Sequence, residues 1–253
     1  MSALRTGVRA AGELMITFGL VVLLFVAYEL WGTGLQTARA QDKAQEQIEQ
    51  EWAEGGADAE LPVVVSPSAT PTKPGRTATP TAPGSPTAKR KPAAKLKPGT
   101  QFARIWVPRF GKSYKWVIAE GTDREQLKEG PGHYEGTELP GEPGNFVVSA
   151  HRTTYGAPFN KVDLLRTGDA VVIETKTHWF TYRVTDTDIV RPDQVEVTYP
   201  VPYRAGVKPT KQLITLTSCH PKFSAKQRFI VFGELEGTLA KASGEQPPAL
   251  SEL

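Results

Sequence analysis

The folded part of this chain reads as all-β, a closed barrel of short strands with a few helical turns, and three observations predict it. Seven β-branched and aromatic runs follow one another between residues 100 and 237: FARIWVP, KWVIAEG, NFVVSAH, AVVIET, HWFTYRVTDTDIV, QLITLTS and RFIVFGEL. Clusters of Gly, Pro, Asp and Asn separate them, and no long amphipathic helix interrupts them. A set of short strands leaves exposed edges unless it closes, which favours a barrel. About 140 residues are enough for one hydrophobic core.

The elements follow in chain order. The chain has 253 residues with 21 prolines and 23 glycines, and a formal net charge of +3. From Leu14 to Tyr28 the run LMITFGLVVLLFVAY carries no charge. With its flanks it reaches about 20 residues, so a transmembrane helix is expected over 13–31, with Tyr28 and Trp31 at its interface. A cleavable signal peptide is the rival reading, since Arg5 and Arg9 precede the run and Ala38, Arg39 and Ala40 imitate a cleavage site. That site stands ten residues past a run already long for a signal core, so an uncleaved anchor is preferred. Arg5 and Arg9 face Arg39 and Lys43 across the span, and the charge rule favours a cytoplasmic N-terminus over 1–12.

Residues 32–60 read as a polar stalk, without an apolar stripe wide enough to pack. From 61 to 99 the composition turns to Pro, Thr, Ala, Ser and Lys, which cannot offset the cost of ordering, so a disordered linker is expected. Eleven Lys or Arg residues and no acid lie between Leu61 and Ala119. Outside a membrane such a segment would meet wall polymers or lipid headgroups rather than nucleic acid, and a solvated charge run is the simpler reading. The barrel is assigned to 100–237 and a flexible tail to 238–253. DREQLKEGPG and APFNKVDLLRTG supply helical turns, and Val171 to Val184 reads as a hairpin turning near Thr175 to Thr177.

The only cysteine is Cys219, in TLTSCHPKFSAKQRF. A lone cysteine forms no intramolecular disulfide and is core filler, metal ligand or nucleophile. QLITLTS ends at Cys219 and RFIVFGEL starts at Arg228, so antiparallel pairing through the intervening loop sets the two opposite each other. His151 follows directly on the run NFVVSA, which places it on the barrel rim. Thiolate, imidazole and guanidinium together describe acyl transfer through a thioester. With ordinary pKa values, thiolate and imidazolium coexist in about 1% of molecules at pH 7. His220 and His133 are alternative bases. His220 with Cys219 as half of a metal site lacks zinc spacing, and Glu135, Glu138 and Glu142 could hold calcium but read more simply as solvated acids.

TLTSC resembles the TLxTC signature of sortases, Arg228 falls where their arginine does, and GPGHYEGTELPGEPGNFVVSAHRTTYG is similar to the segment carrying their histidine. The resemblance covers about Thr100 to Gly237 and is strongest to class E sortases of high-GC Gram-positive bacteria. It implies an eight-stranded sortase-type barrel outside the cytoplasm on a single-pass anchor, working without cofactor or metal. It also implies that Cys219 attacks the Thr–Gly bond of a C-terminal LAxTG or LPxTG sorting signal. His151 then serves as acid and base, and Arg228 holds the oxyanion or the peptide backbone. Partners are secreted proteins bearing that signal and an amine of a lipid II-type peptidoglycan precursor. Tyr155 is expected to read the signal's second position, with Thr217 and Ser218 also at the peptide; Ser218 stands where the signature has Thr. Pilin polymerisation and a non-enzymatic wall-binding scaffold are the alternatives. An NlpC/P60 peptidase would put cysteine before histidine, and an L,D-transpeptidase would show an SHGxxN-like string, absent here.

Overall fold

The computed structural model describes residues 2–28, 32–54 and 96–251. Residues 61–95 of the expected linker, residues 55–60 of the expected stalk and the interfacial Trp31 lie outside the described residues. Eight strands close into one barrel: β1 (Gln101–Trp106), β2 (Lys115–Glu120), β3 (Gly132–His133), β4 (Gly144–Ser149), β5 (Ala170–Glu174), β6 (His178–Val190), β7 (Gln212–His220) and β8 (Gln227–Ala240). Their order around the barrel is β1-β2-β3-β4-β7-β8-β6-β5.

Alternation along the strands explains the closure. Ala103 and Ile105 on β1, Phe146 and Val148 on β4, and Ile214 and Leu216 on β7 all enter one buried core with Phe180 and Tyr182. Full burial of a side chain of this size contributes about 1.5–3 kcal/mol, and period-two spacing leaves the intervening residues on the outer face. The predicted hairpin is present, with β5 pairing β6 and the Thr175 amide donating to the His178 carbonyl at 2.8 Å. DREQLKE forms the short helix α3 (Arg124–Glu129, named after the two N-terminal helices below), capped by the Asp123 side chain on the amides of Glu125 and Gln126. Residues Val162–Leu164 make a single 3₁₀ turn.

Near the N-terminus, helix α1 (Ser2–Ala27) contains a 23-residue stretch, Arg5–Ala27, whose most apolar 18-residue window has a mean hydropathy of 2.2. It is long and apolar enough to cross a membrane, and Leu14, Phe18 and Leu23 stand fully outward at 71%, 71% and 69% exposure.

Three boundaries differ from the sequence reading. The polar stalk does not stay solvated: helix α2 (Thr33–Glu54) lies along the barrel, with Thr37, Ala44 and Ile48 buried. Ala44 and Ile48 pack on Val117 of β2 beside Trp52. The Gln41 side chain accepts from the Val117 amide at 2.8 Å and donates to the Glu129 carbonyl at 2.9 Å. Glu49 pairs at 2.6 Å with Arg104, whose guanidinium lies 4.8 Å over the Trp52 ring and 3.5 Å from Glu174. Polar side chains supply much of this docking, so a hydrophobic stripe was the wrong thing to look for. The tail is not loose either: β8 runs on to Ala240, and Ala249, 3% exposed, joins Ala170, Val172 and Trp179 in a second apolar cluster. The barrel domain also starts earlier than residue 100. Leu96 packs against the core and the Gly99 amide donates to the Glu120 carbonyl.

Candidate active site

Strand register builds the site. β7 pairs antiparallel with β8 so that Cys219 stands opposite Arg228, as the loop length predicts. On its other edge β7 runs parallel to β4, with Ser149 level with Thr217 and the Ala150 amide donating to the Thr217 carbonyl at 3.2 Å. His151 follows two residues after Ser149, just past the end of β4. The three residues therefore come from one row of neighbouring elements, the segment that follows β4, then β7, then β8.

Alternation also fixes the face. Ile214 and Leu216 on β7, and Val231 with its packed neighbour Phe229 on β8, point into the barrel. Thr215, Thr217 and Cys219 consequently share the outer face with Ile230 and Arg228. Ile230 is covered there by Val197, within the 3₁₀ turn Val195–Thr198. Asn145 bonds Thr215 on β7 and donates to the carbonyls of Val197 and Tyr199, which ties this turn to the β4–β7 face. Cys219 itself is half-buried.

His151 is half-buried, and its Nε2 has no hydrogen-bond partner among the described residues. Its ring lies against Tyr155 at 4.8 Å between centroids, and Thr154 Oγ1 stands 3.5 Å from Nδ1. Burial disfavours the imidazolium and pushes the pKa below its ordinary value. Arg228 Nη1 donates to the carbonyls of Ala225 and Gln227 at 3.0 and 3.1 Å, and among the described residues it forms no ion pair. That leaves a guanidinium without a carboxylate partner on the residue that pairs with Cys219.

The other expected residues divide. Tyr155 sits beside His151, and Thr217 is half-buried on the same outer face as Cys219. Ser218 faces the other way: it is 3% exposed and its hydroxyl donates to the Ala150 carbonyl at 2.8 Å, which joins β7 to the β4 end. His133 is buried in the core, with Nδ1 2.5 Å from Glu120 and Nε2 against Thr137, so it has no route to the thiol. His220 follows Cys219 on β7 and falls on the opposite face, its ring 5.8 Å from Phe229. Glu142 and Glu138 accept from the backbone amides of Leu139 and Asn145, which accounts for two of the three loop acids. No group of three metal-ligating side chains is present among the described residues.

One residue that sequence reading passed over holds the row together. Arg152, 2% exposed, donates to the Cys219 carbonyl at 3.2 Å and to the Asn160 carbonyl at 3.2 Å, and pairs with Asp163 at 2.9 Å. It also lies 5.7 Å over the Phe229 ring. The segment after His151 is thus bonded to the cysteine strand itself. A buried arginine next to a histidine was the available signal, but nothing in the sequence distinguishes it from a surface cation.

With this geometry in hand, comparisons with known proteins agree. A sortase-domain family model matches residues 105–236. Sortase SrtE1 of Streptomyces coelicolor is 32% identical over 250 residues, covering 96% of this chain and 60% of that protein. Sortase SrtE2 of the same organism is 33% identical over 254 residues, covering 95% of this chain and 86% of its own length. Sortase E from Streptomyces avermitilis superposes with a TM-score of 0.56 at 40% identity, over 61% of this chain and 99% of that one. A structure of Sortase E1 from Streptomyces coelicolor with a tripeptide in the active site superposes with a TM-score of 0.55 at 34% identity, over 60% and 97% of the two chains. The chain belongs to the sortase family and groups with its class E members.

Proposed function

We propose that this chain is a membrane-anchored cysteine transpeptidase that cuts the Thr–Gly bond of a C-terminal LAxTG-type sorting signal and joins the threonine to an amine of a peptidoglycan precursor. The observation carrying the reading is that Cys219 stands opposite Arg228 on β7 and β8 while His151 follows directly on β4, the strand on the other edge of β7.

In the first step the Cys219 thiolate adds to the threonine carbonyl carbon. Arg228 donates to the oxyanion that forms, a charge-assisted contact with a group that never loses its own proton. Collapse breaks the C–N bond, the glycine amine leaves with a proton from His151, and a thioester remains on Sγ. In the second step the acceptor amine adds to the thioester carbon and His151 takes its proton. The thiolate departs and the new amide is complete. No cofactor or metal enters. Tyr155 and Thr217 flank the row from the histidine side and the strand floor, positions suited to the peptide; Ser218 acts by fixing β7 to β4 through its buried hydroxyl.

The tripeptide in the active site of the Streptomyces coelicolor relative supports a peptide substrate. The exposed apolar helix α1 supports the anchor. Thr37 and Gln41, bonded to the barrel on both sides of Ala38–Ala40, support an uncleaved chain. A cytoplasmic N-terminus then places the barrel outside the cell. Incubating the chain with an LAxTG peptide and an amine such as triglycine is expected to yield the peptide–amine conjugate, with His151→Ala slower by about 10²–10⁴-fold. Cys219→Ala should yield none; conjugate formation by that variant at the parent rate would leave only a scaffold role.

A further inference from the structure

We propose that helix α2 is a positioning element of the active site, with Thr37 as its contact: it buttresses the loop after His151 and so sets the imidazole against Cys219. The inference rests on the reading of His151 as the acid–base group.

The loop needs a support. Tyr155, Gly156 and Ala157 have φ of 51°, 69° and 47°, three successive residues in the left-handed region, two of them not glycine. Each non-glycine residue there costs about 1–2 kcal/mol, and such backbone persists only where its surroundings over-determine it. The surroundings come from β2 and α2. A Cβ placed on Gly156 would stand 2.8 Å from Cη2 of Trp116 and 3.3 Å from Cγ2 of Thr37. The loop backbone is therefore in close packing against both. Tyr114, just before β2, adds a hydrogen bond from its hydroxyl to the Pro158 carbonyl at 3.0 Å.

Thr37 is itself held rigidly. It is 1% exposed, and its hydroxyl meets the carbonyls of Thr33 and Lys128 at 3.1 and 2.7 Å. One turn further on, Gln41 completes the hydrogen bonding of Val117, the neighbour of Trp116. On the other side the loop hands this support to the histidine. The Tyr155 ring lies against His151, and the Phe159 amide donates to the His151 carbonyl at 3.1 Å. Contact thus runs without a break from α2 through Gly156 and Tyr155 to the imidazole. Only nine residues of chain lie between Ala27 at the end of α1 and Thr37. Thr37, the contact of the histidine loop, consequently lies within about 35 Å of the end of α1, whatever path the chain takes.

Full-length variants test this. Ala44→Asp with Ile48→Asp undocks the helix by burying two charges. Thr37→Ser removes only the methyl facing Gly156 and keeps the hydroxyl on Lys128. The double variant should lower kcat about 10–100-fold with KM within about twofold, since small misplacements of a catalytic group cost rate rather than binding. Amide exchange over 152–160 should quicken while β7 and β8 stay protected. Thr37→Ser should move both readouts the same way by about 3–10-fold. If kcat and loop exchange of Thr37→Ser and the double variant stay within twofold of the parent, the inference is overturned. If the double variant loses β7–β8 protection as well, it has unfolded and Thr37→Ser alone decides. Failure of the parent to turn over peptide would remove the functional reading instead, and loop exchange would still decide the buttress.

Discussion

Burial of His151 sets the pH range in which a thiol–imidazole pair can work. The folded protein disfavours the imidazolium, so the group's pKa lies below its ordinary 6.5. The sign follows directly: acid must go further to protonate this imidazole than to protonate a free one. The acid limb of kcat/KM for the free enzyme should therefore have its midpoint below about 6.5. A midpoint at or above that value, measured with a peptide whose own groups do not titrate there, would mean that His151 is solvated or is not the group that limits the rate. At this scale the cysteine and arginine were legible because a hairpin's register can be counted from its loop. The histidine was legible because it directly follows a strand. Arg152 and the inward-facing Ser218 were not, because which face a residue takes depends on pairing with strands far away in sequence.

Elements were legible where the signal is apolar periodicity and hidden where it is not. Seven of the eight strands announce themselves by β-branched and aromatic runs. The eighth, β3, is Gly132 and His133 alone, held between β2 and β4 by their backbones, and nothing in two such residues marks a strand. Helix α2 escaped for a different reason. Its inner face reads Thr37, Gln41, Ala44, Ile48 and Trp52, and only the last two are large apolar residues. The rest of the binding is a carboxamide that completes the hydrogen bonds of Val117 and a carboxylate that reaches Arg104. Hydrogen bonds of this kind can dock a helix made mostly of polar residues, and no pattern of apolar spacing detects them. The tail escaped likewise: Ala249 and its neighbour Leu250 pack with Ala170, Val172 and Trp179, a cluster that only the folded barrel assembles.

In the whole molecule, an apolar N-terminal helix, a second helix docked on the barrel and the barrel itself, carrying one thiol, succeed one another along the chain. With α1 as the proposed anchor, that single half-buried cysteine offers a test of which side of the membrane the barrel occupies. A membrane-impermeant maleimide added to intact cells should label the parent and not Cys219→Ala; labelling only after permeabilisation would place the barrel inside. The transpeptidation proposed above would require a covalent stage, which distinguishes it from a wall-binding scaffold of the same shape. The most direct test is the intact mass of the chain after incubation with an LAxTG peptide in the absence of an amine. The account predicts an added mass equal to the peptide up to its threonine, carried on Cys219, released by hydroxylamine and missing in Cys219→Ala. Peptide cleavage with no adduct, undiminished in Cys219→Ala, would contradict it.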